Sequence, residues 1–266
     1  MPRPPLALNY HGVADVSLRE DIHRTFARPV DLRRQIEQLL GWGYELMSFS
    51  DWAARVGTDG GAACAALTFD DGFSDNLHVL IPLLRELEAP ATVFAVSGWL
   101  GQRHPHISNA QVLSASELCE VHASGIEVGA HTRTHPDLTA LSVGATRDEV
   151  AGGRAELEDI LGAPVSVFAY PYGVATPETV RIVREMGFTA ACRAMGLGRW
   201  DDPHDLPRQD MGNRSSTLGL RLKRDDRYVP LMRLRPMRIL RRARLAAHGA
   251  PVRRLASPGA GRYKPA

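Results

Sequence analysis

Two short motifs in this chain combine carboxylates and imidazoles at spacings that suit a divalent metal. Residues 68–72 form the run TFDDG, and residues 131–135 form the run HTRTH. One carboxylate oxygen and two imidazole nitrogens are a donor set that zinc, iron, cobalt and nickel accept, with positions left for water and substrate. The second carboxylate of the first motif, Asp70, is then available as a base. Together the motifs predict a metal-assisted hydrolase.

Each motif also has a simpler interpretation when it is taken alone. A lone DDG run is typical of a turn with two solvated carboxylates, and an isolated HxxxH is often a pair of surface histidines. The strand-like residues before both motifs favour strand ends that open on a cleft. Gly72 would relax the strand end so that Asp70 and Asp71 reach one cleft. One helical turn from His131 to His135 would place both rings on the same side.

Apolar runs of strand length alternate with helical segments, which predicts a parallel sheet with helical crossovers. The predicted strands lie near residues 6–10, 65–69, 91–96, 126–130, 165–170 and 188–192. The predicted helices lie near residues 31–40, with Asp31 as its N-cap, and near 74–87, 115–124, 143–161 and 176–186. These units are enough to close an α/β barrel, and both motifs follow strand ends, where such folds build their sites.

The charge is divided unevenly along the chain. Residues 1–215 carry a net charge of −10, and residues 216–266 carry a net charge of +12. The acidic body argues against nucleic-acid binding. A basic amphipathic helix in the tail predicts peripheral contact with an anionic membrane, while a solvated tail or one packed on the acidic body is the alternative. We therefore predict a barrel domain over residues 1–220 and a basic, helical or disordered tail over residues 221–266.

Composition also bounds where the chain is expected to work. The first eight residues lack the apolar stretch of a signal peptide, and no apolar run approaches the ~20 residues of a membrane span. Three cysteines without CxxC spacing predict unbridged thiols in a reducing compartment. We expect a cytoplasmic protein, peripheral to the membrane where its tail binds lipid, with the oligomeric state left open.

Three motifs in order resemble the polysaccharide deacetylases, the NodB-homology or carbohydrate esterase family 4. They are TFDDG at residues 68–72, HTRTH at residues 131–135 and FAYPYG at residues 168–173. The resemblance covers about residues 6–212, and it implies a distorted (β/α)7 barrel. The basic tail comes after this barrel in the chain. It further implies a hydrolase that removes N-acetyl groups from an amino sugar or glycan, using one divalent metal, zinc before cobalt, iron or nickel.

The resemblance assigns roles to the residues of the first two motifs. Asp70 is the general base, and the metal ligands are Asp71, His131 and His135. A bound divalent cation polarises an amide carbonyl and lowers the pKa of water to ~7. The leaving amine then needs a proton from an acid.

Residues around the cleft are assigned in the same way. The third motif lines the cleft with Tyr170, Pro171 and Tyr172, and the backbone N–H of Tyr172 helps to hold the oxyanion. Asn76 either touches substrate or caps the helix after the first motif. Trp99 is a candidate for stacking on a sugar face, with packing as the alternative.

Two departures from the family pattern point to substitutes elsewhere in the chain. The arginine that usually orients the base is absent near Ala169, and Arg208 is the candidate replacement. The late Leu-x-His acid motif is also missing. Residues 10–13 (YHGV) instead resemble the N-terminal Tyr-His motif of the poly-N-acetylglucosamine deacetylase subgroup, which assigns the acid role to His11. A histidine bonded to its own loop is the alternative, and His204 is a second candidate acid.

Two other functions stay open on the sequence. One is a related amide hydrolase that acts on a formyl group or a non-sugar amide. The other is a non-catalytic glycan-binding barrel, which the missing arginine at Ala169 keeps open. The run His104-Pro105-His106 fits no family position, and we interpret it as a loop.

Overall fold

The computed structural model describes residues 3–17, 21, 25–56, 58, 63–107, 109–212 and 215–225, so residues 226–266 of the predicted tail lie outside the described part. The strands there are β1 (Leu6–Tyr10), β2 (Glu45–Met47), β3 (Cys64–Asp71), β4 (Thr92–Ala95), β5 (Glu127–Ala130), β6 (Val167–Ala169), β7 (Ala190–Cys192) and β8 (Gln209–Asp210). The α-helices are α1 (Pro29–Gly41), α2 (Phe49–Arg55), α3 (Ile81–Glu86), α4 (Ala115–Ala123), α5 (Val143–Leu161), α6 (Pro177–Glu185) and α7 (Thr217–Arg224). None of these helices combines the length and apolar character that crossing a membrane requires.

The strands form one curled sheet in which all pairings between the described strands are parallel. Their order is β7-β6-β5-β4-β3-β1-β8, with β2 beside the first half of β3. Leu206 bridges to Cys192 at the end of β7, and β8 pairs with Leu8 and Asn9 of β1. Residues 206–210 thus connect the two edges of the sheet. The predicted α/β barrel architecture is confirmed.

Alternation along β3 assigns its side chains to two faces. Phe69 belongs to the core that the sheet forms with α1 and α3–α6, on the outer face. Ala66 belongs to the second core, together with Phe49 and Trp52 of α2, on the inner face. Asp70 lies four residues after Ala66 on the same strand, so its side chain is on the same inner face and lies inside the barrel.

One predicted boundary is wrong at the start of a helix. Helix α1 begins at Pro29, with Arg28 as its N-cap, and not at Asp31. Proline suits the first helical position because its missing N–H would have had no partner there. Asp31 lies instead in the first turn, 2.6 Å from the Arg28 guanidinium. At the far end of the described residues, α7 spans residue 220, where the sequence predicts a domain boundary, and that boundary stays a prediction.

Helix α7 docks on α1 through cation–π contacts. The Arg224 guanidinium lies 4.5 Å from the centroid of the Trp42 ring, and that of Arg221 lies 5.8 Å from it. Such contacts contribute about 0.5–1 kcal/mol each at exposed positions. The first described residues of the predicted tail therefore pack on the barrel.

Helix α5 holds the loop that carries the HTRTH motif. The Glu149 carboxylate accepts hydrogen bonds from the backbone N–H groups of Arg133 (3.1 Å) and Thr134 (2.8 Å). One turn later, Gly153 lets the helix approach the loop closely. A Cβ atom there would lie 2.6 Å from the Thr132 carbonyl carbon, a distance that real Cβ atoms essentially never show.

We predict opposite effects for alanine at two adjacent glycines of α5. Gly153→Ala should lower the free energy of unfolding by about 1–3 kcal/mol, because its methyl group would collide with the backbone of the loop. Gly152→Ala should raise it by about 0.5–1 kcal/mol, because its Cβ would meet only the Arg133 side chain at 3.6 Å and alanine favours the helix. Denaturant unfolding of both variants measures this difference. Equal effects at the two positions would contradict the close approach at Gly153.

Candidate active site

The two carboxylates at the end of β3 reach the same cleft because the backbone turns between them. In a regular strand the residue after Asp70 would point to the outer face. Asp71 instead has a φ of 71°, and Gly72 follows with a φ of 67°. The expected turn is therefore present. It depends on the left-handed conformation of Asp71 as well as on Gly72.

Arg208 forms a buried, bidentate ion pair with Asp70. Its Nη1 and Nη2 atoms lie 2.7 Å and 2.8 Å from the two carboxylate oxygens. Nη1 also donates to the Thr68 hydroxyl at 2.8 Å, and Nε donates to the Arg193 carbonyl at 3.1 Å. The guanidinium carbon lies 5.2 Å from the centroid of the Phe94 ring. These contacts fix the orientation of the Asp70 carboxylate.

The same contacts keep Asp70 charged. Burial by itself would raise the pKa of this carboxyl, but the positive charge of Arg208 and its hydrogen bonds lower the pKa below its ordinary value. Asp70 is therefore ionised at neutral pH. Arg208 comes from the segment just before β8, and its role as the substitute for the arginine missing near Ala169 stays a prediction.

Asp71, His131 and His135 converge at the carboxyl ends of β3 and β5. One ligand-type atom from each lies within 4.8 Å of the others. The Nε2 atoms of both histidines lie 3.6 Å from Oδ1 of Asp71. All three side chains are nearly excluded from solvent. The structure thus brings together the three residues expected to bind the metal.

Hydrogen bonding shows which atoms face the centre of this triangle. Nδ1 of His131 donates to the Ala169 carbonyl at 2.7 Å, because a carbonyl can only accept, so the neutral ring presents its lone pair at Nε2. Oδ1 of Asp71 is buried and has no hydrogen-bond partner among the described residues. An unpartnered carboxylate oxygen facing the lone pair of His131 is costly unless a cation lies between them. The donor set therefore fits a divalent transition metal.

The protonation preferences of this triangle also suit metal binding. Burial, as the largest cause, lowers the pKa of His135 to about 3, so this ring is neutral at pH 7. Burial alone would raise the pKa of Asp71. A hydrogen bond from His104 and electrostatic interactions with the neighbouring histidines outweigh burial and lower the pKa well below its ordinary value. A neutral imidazole and an ionised carboxylate are the forms that bind metal ions.

The two histidines of the HTRTH motif are not on a helix, which corrects the expectation of a helical turn. Residues 131–137 form a loop in which Thr132 has a φ of 66° and His135 a φ of 61°. The backbone N–H of His135 donates to the Thr132 hydroxyl at 2.9 Å. The loop brings the ring centroids of His131 and His135 to 4.7 Å, so a left-handed turn achieves the proximity that a helical turn was expected to supply.

The third motif contributes one side chain to the site and two to the core. The Tyr172 ring lies 4.7 Å from the His135 ring, and the residue has a φ of 58°. Pro171 is buried beneath it. The expectation that the Tyr170 side chain contacts substrate is wrong, because that side chain is 1% exposed and its hydroxyl donates to the His204 carbonyl at 2.8 Å.

Asp75 and Asn76 hold the loop after β1. Asp75 accepts a hydrogen bond from the Val13 N–H at 2.8 Å, and Asn76 Nδ2 donates to the His11 carbonyl at 3.2 Å. Asn76 is fully buried, so the expectation that it touches substrate is wrong. It is the first residue of the π-helix Asn76–Leu80, whose N-cap is Asp75, so it does not cap the helix either. Its role is to anchor the backbone of His11.

His11 lies close to both carboxylates of the first motif. The residue is half-buried, and its charge contributes to lowering the pKa values of Asp70 and Asp71. The second candidate acid, His204, lies in a structural position instead. Its Nε2 donates to the Phe188 carbonyl at 2.8 Å, so this ring is used to join two loops.

Trp99 and His104 pack against the triangle of Asp71, His131 and His135 from the loop after β4. Trp99 is 8% exposed, and its ring lies 4.8 Å from His104 and 5.0 Å from His135. The Trp99 ring is thus used for packing, and the expectation that it stacks on a sugar face is wrong. His104, interpreted from sequence as an ordinary loop residue, is buried with Nε2 3.4 Å from Oδ2 of Asp71. The only sequence signal for it was an unassigned His-Pro-His run.

Comparison with known proteins agrees with the resemblance seen in the motifs. The family model described as polysaccharide deacetylase matches residues 57–191, which contain both carboxylates and both histidines of the site. This match covers half of the chain. The chain therefore belongs to the polysaccharide deacetylase family.

Individual relatives cover parts of the chain. The putative polysaccharide deacetylase YxkH of Bacillus subtilis is 26% identical over 125 residues, which are 47% of this chain and 42% of that protein. The chitooligosaccharide deacetylase of Sinorhizobium fredii is 29% identical over 151 residues, 56% of this chain and 64% of that protein. The chain thus spans less than two thirds of the length of either relative.

A solved structure shows the same fold over a larger share of the chain. The deacetylase PplD of Streptococcus pyogenes, solved in complex with acetate, superposes with a TM-score of 0.70 at 22% sequence identity. The superposition covers 84% of this chain and 99% of that chain. At this level of identity the similarity supports the fold, the predicted (β/α)7 barrel of the family.

We predict strong coupling between Arg208 and Asp70 in the free energy of unfolding. Arg208→Met should destabilise the protein by about 3–5 kcal/mol at pH 7, because it leaves a buried carboxylate without its partner. Adding Asp70→Asn to that variant should recover a large part of the loss, because the remaining group is then neutral. A double-mutant cycle by denaturant unfolding measures the coupling. Additive effects of the two substitutions would contradict the ion pair.

We predict that Asp75→Asn stabilises the protein at neutral pH but not at pH 4. Burial raises the pKa of Asp75 to about 6 in the folded protein, above its ordinary value of 3.8. The folded state therefore holds a proton that the unfolded chain has released between these pH values, and stability falls as the pH rises through this window. Asparagine keeps an acceptor for the Val13 N–H without the charge.

The expected gain for Asp75→Asn is about 1–3 kcal/mol at pH 7.5, shrinking toward zero at pH 4. Unfolding of wild type and variant over this pH range measures it. The reverse trend, a variant that is weaker at pH 7.5, would show that the ionised carboxylate stabilises the loop.

Proposed function

We propose that this chain is a metal-dependent hydrolase that removes N-acetyl groups from an amino sugar or glycan. The observation that carries the proposal is that two neighbouring ionised carboxylates have different partners. Asp71 turns an unpartnered oxygen toward two imidazoles, and Asp70 is held beside it by Arg208. One carboxylate is thus suited to bind a cation and the other to accept a proton.

In this proposal Asp71, His131 and His135 hold the cation, which is zinc before cobalt, iron or nickel. When bound, such a cation supplies a Lewis acid that polarises an amide carbonyl and lowers the pKa of water. His131 is oriented for this role by its hydrogen bond to the Ala169 carbonyl. Second contacts of this kind fix the tautomer of a ligand histidine and aim its free nitrogen.

Asp70 is the general base of the proposed reaction. It is ionised, and its two oxygens are held by Arg208, so it accepts a proton from an attacking water without rotating first. Arg208 is the positioning residue for this base. General bases of this kind contribute about 10²–10⁴-fold to the rate.

Tyr172 and His11 are assigned the remaining roles in the proposed machinery. Tyr172 packs on His135, at the wall of the triangle, and its backbone N–H is assigned to the oxyanion. Such a donor contributes about 3 kcal/mol to transition-state stabilisation. His11 lies close to the carboxylates on a loop that Asp75 and Asn76 anchor, and it is assigned as the acid that protonates the leaving amine.

The family supports an N-acetylated carbohydrate as the substrate. The relatives that match this chain include proteins described as polysaccharide and chitooligosaccharide deacetylases. Within the family, the N-terminal Tyr-His motif favours the poly-N-acetylglucosamine deacetylase subgroup. Chitooligosaccharides and poly-N-acetylglucosamine are therefore the first substrates to test.

We predict that two substitutions separate metal binding from proton transfer. His131→Ala should lose both metal and activity, because it removes a ligand. Asp70→Asn should keep its metal and lose about 10²–10⁴-fold in kcat, because it removes only the base. Elemental analysis of the purified protein and acetate release from the two substrates measure these effects.

The matched control is His122→Ala, which removes an exposed histidine from α4 and should change neither measurement. Release of formate in place of acetate would favour a deformylase. A metal-loaded wild type that releases neither product would contradict the hydrolase proposal and support a glycan-binding barrel. Loss of metal from Asp70→Asn as readily as from Asp71→Asn would show that the two carboxylates are assigned in the wrong order.

A further inference from the structure

His104 lies against the metal triangle but does not belong to it. Its Nε2 atom is 3.4 Å from Oδ2 of Asp71, whereas the two ligand histidines approach Oδ1. The side chain is 4% exposed, so the contact is shielded from water. The two oxygens of Asp71 therefore have different neighbours.

The tautomer of His104 follows from its second nitrogen. The backbone N–H of His106 donates to Nδ1 of His104 at 3.2 Å, so Nδ1 carries a lone pair. In the neutral ring the proton is then on Nε2, which donates it to Oδ2 of Asp71. A ring in this state offers Asp71 a hydrogen bond and has no lone pair to offer a metal at Nε2.

The surroundings of His104 hold the ring in this orientation. It stacks on the Phe73 ring with centroids 4.9 Å apart and an interplanar angle of 9°, and the Trp99 ring packs against it at 4.8 Å. The strand-like pairing of Arg103 with Gln111 and of Phe73 with Val112 ties its loop to the segment that follows Asp71. The adjacent residues Gln111 and Val112 thus connect the loop of His104 to the segment after Asp71.

We propose that His104 is a positioning residue for the metal ligand Asp71. By donating to Oδ2, it restrains the carboxylate and leaves Oδ1 as the single oxygen that faces His131 and His135. Oδ1 would then be the Asp71 oxygen that holds the cation, together with His131 and His135. This inference rests on the proposed function, because it requires the triangle to bind a metal.

The test is the zinc affinity of the purified full-length chain, measured by competition with a chromophoric chelator. His104→Phe keeps an aromatic ring for Phe73 and Trp99 but has no donor. Loss of an outer hydrogen bond to a metal ligand typically weakens metal affinity by about 10–100-fold. We expect a loss in that range, with the melting temperature of the metal-free protein within a few degrees of wild type and with His122→Ala unchanged.

A second pair of variants keeps the test informative where the phenylalanine variant folds poorly. His104→Gln carries an amide N–H that reaches the position of Nε2, and His104→Asn carries one that stops short of Asp71. Both variants lack the aromatic ring, so they lose the same packing against Phe73 and Trp99. The glutamine variant should bind zinc at least about 5-fold more tightly than the asparagine variant, which is the recovery expected of a restored donor.

Three results would overturn the assignment. Zinc affinity of His104→Phe equal to that of wild type would show that the hydrogen bond does not position Asp71. A cobalt-loaded His104→Gln whose visible d–d bands differ from those of cobalt-loaded wild type would make His104 a direct ligand. Wild-type protein that does not bind zinc would overturn the proposed metal site together with this inference, whereas the first two results leave the proposed function intact.

Discussion

The buried ion pair between Asp70 and Arg208 is the interaction on which the interior of this barrel depends. A carboxylate enclosed among apolar side chains is costly by several kcal/mol, and that cost is offset only by a partner with good geometry and further hydrogen bonds. Arg208 meets both conditions, because its second and third contacts are the Thr68 hydroxyl and the Arg193 carbonyl. The pair also joins β3 to the segment that connects the two edges of the sheet. One interaction therefore ties β3 to this connecting segment and orients the proposed base.

A second constraint acts at the rim, where strands end in backbone conformations that non-glycine residues rarely adopt. Four residues of the site share a left-handed conformation: Asp71, Thr132, His135 and Tyr172. Such residues cost about 1–3 kcal/mol each and persist where the surrounding structure holds them. The Thr132 hydroxyl, which bonds the His135 N–H, and the close approach of Gly153 are two of the contacts that hold this loop. The strain is concentrated where side chains from neighbouring strands must point at one another.

The triangle of Asp71, His131 and His135 is surrounded by groups that restrict how each member can turn. His131 is held through its Nδ1 by the Ala169 carbonyl, and His135 lies between the rings of Trp99 and Tyr172. Oδ2 of Asp71 is occupied by His104, which leaves Oδ1 toward the centre. Because these contacts restrict the three side chains, the side chains would lose little conformational entropy if the proposed cation bound.

The sequence was sufficient for the parts of this protein that depend on local pattern. Alternating strand and helix segments predicted the parallel barrel, and the motifs predicted Asp71, His131 and His135 as neighbours because each follows the end of a strand. Membership of the polysaccharide deacetylase family followed from the same motifs. Even Arg208 was identified as a candidate, although it is 138 positions from Asp70. Such predictions succeed because strand ends of a parallel sheet meet at one edge whatever their separation along the chain.

Tertiary structure alone decided how individual side chains are used. Tyr170, Asn76 and Trp99 have residue types that suit a substrate cleft, yet packing buries all three, because burial depends on which elements cover them and not on their own chemistry. His104 shows the reverse, since a loop histidine becomes part of the site only when its loop pairs with the residues after Asp71. The turn of the HTRTH motif was likewise set by tertiary contacts with α5 and not by helical propensity. Pattern along a chain reports which residues share an edge, whereas distance, burial and hydrogen-bond partners are set by contacts between segments far apart in sequence.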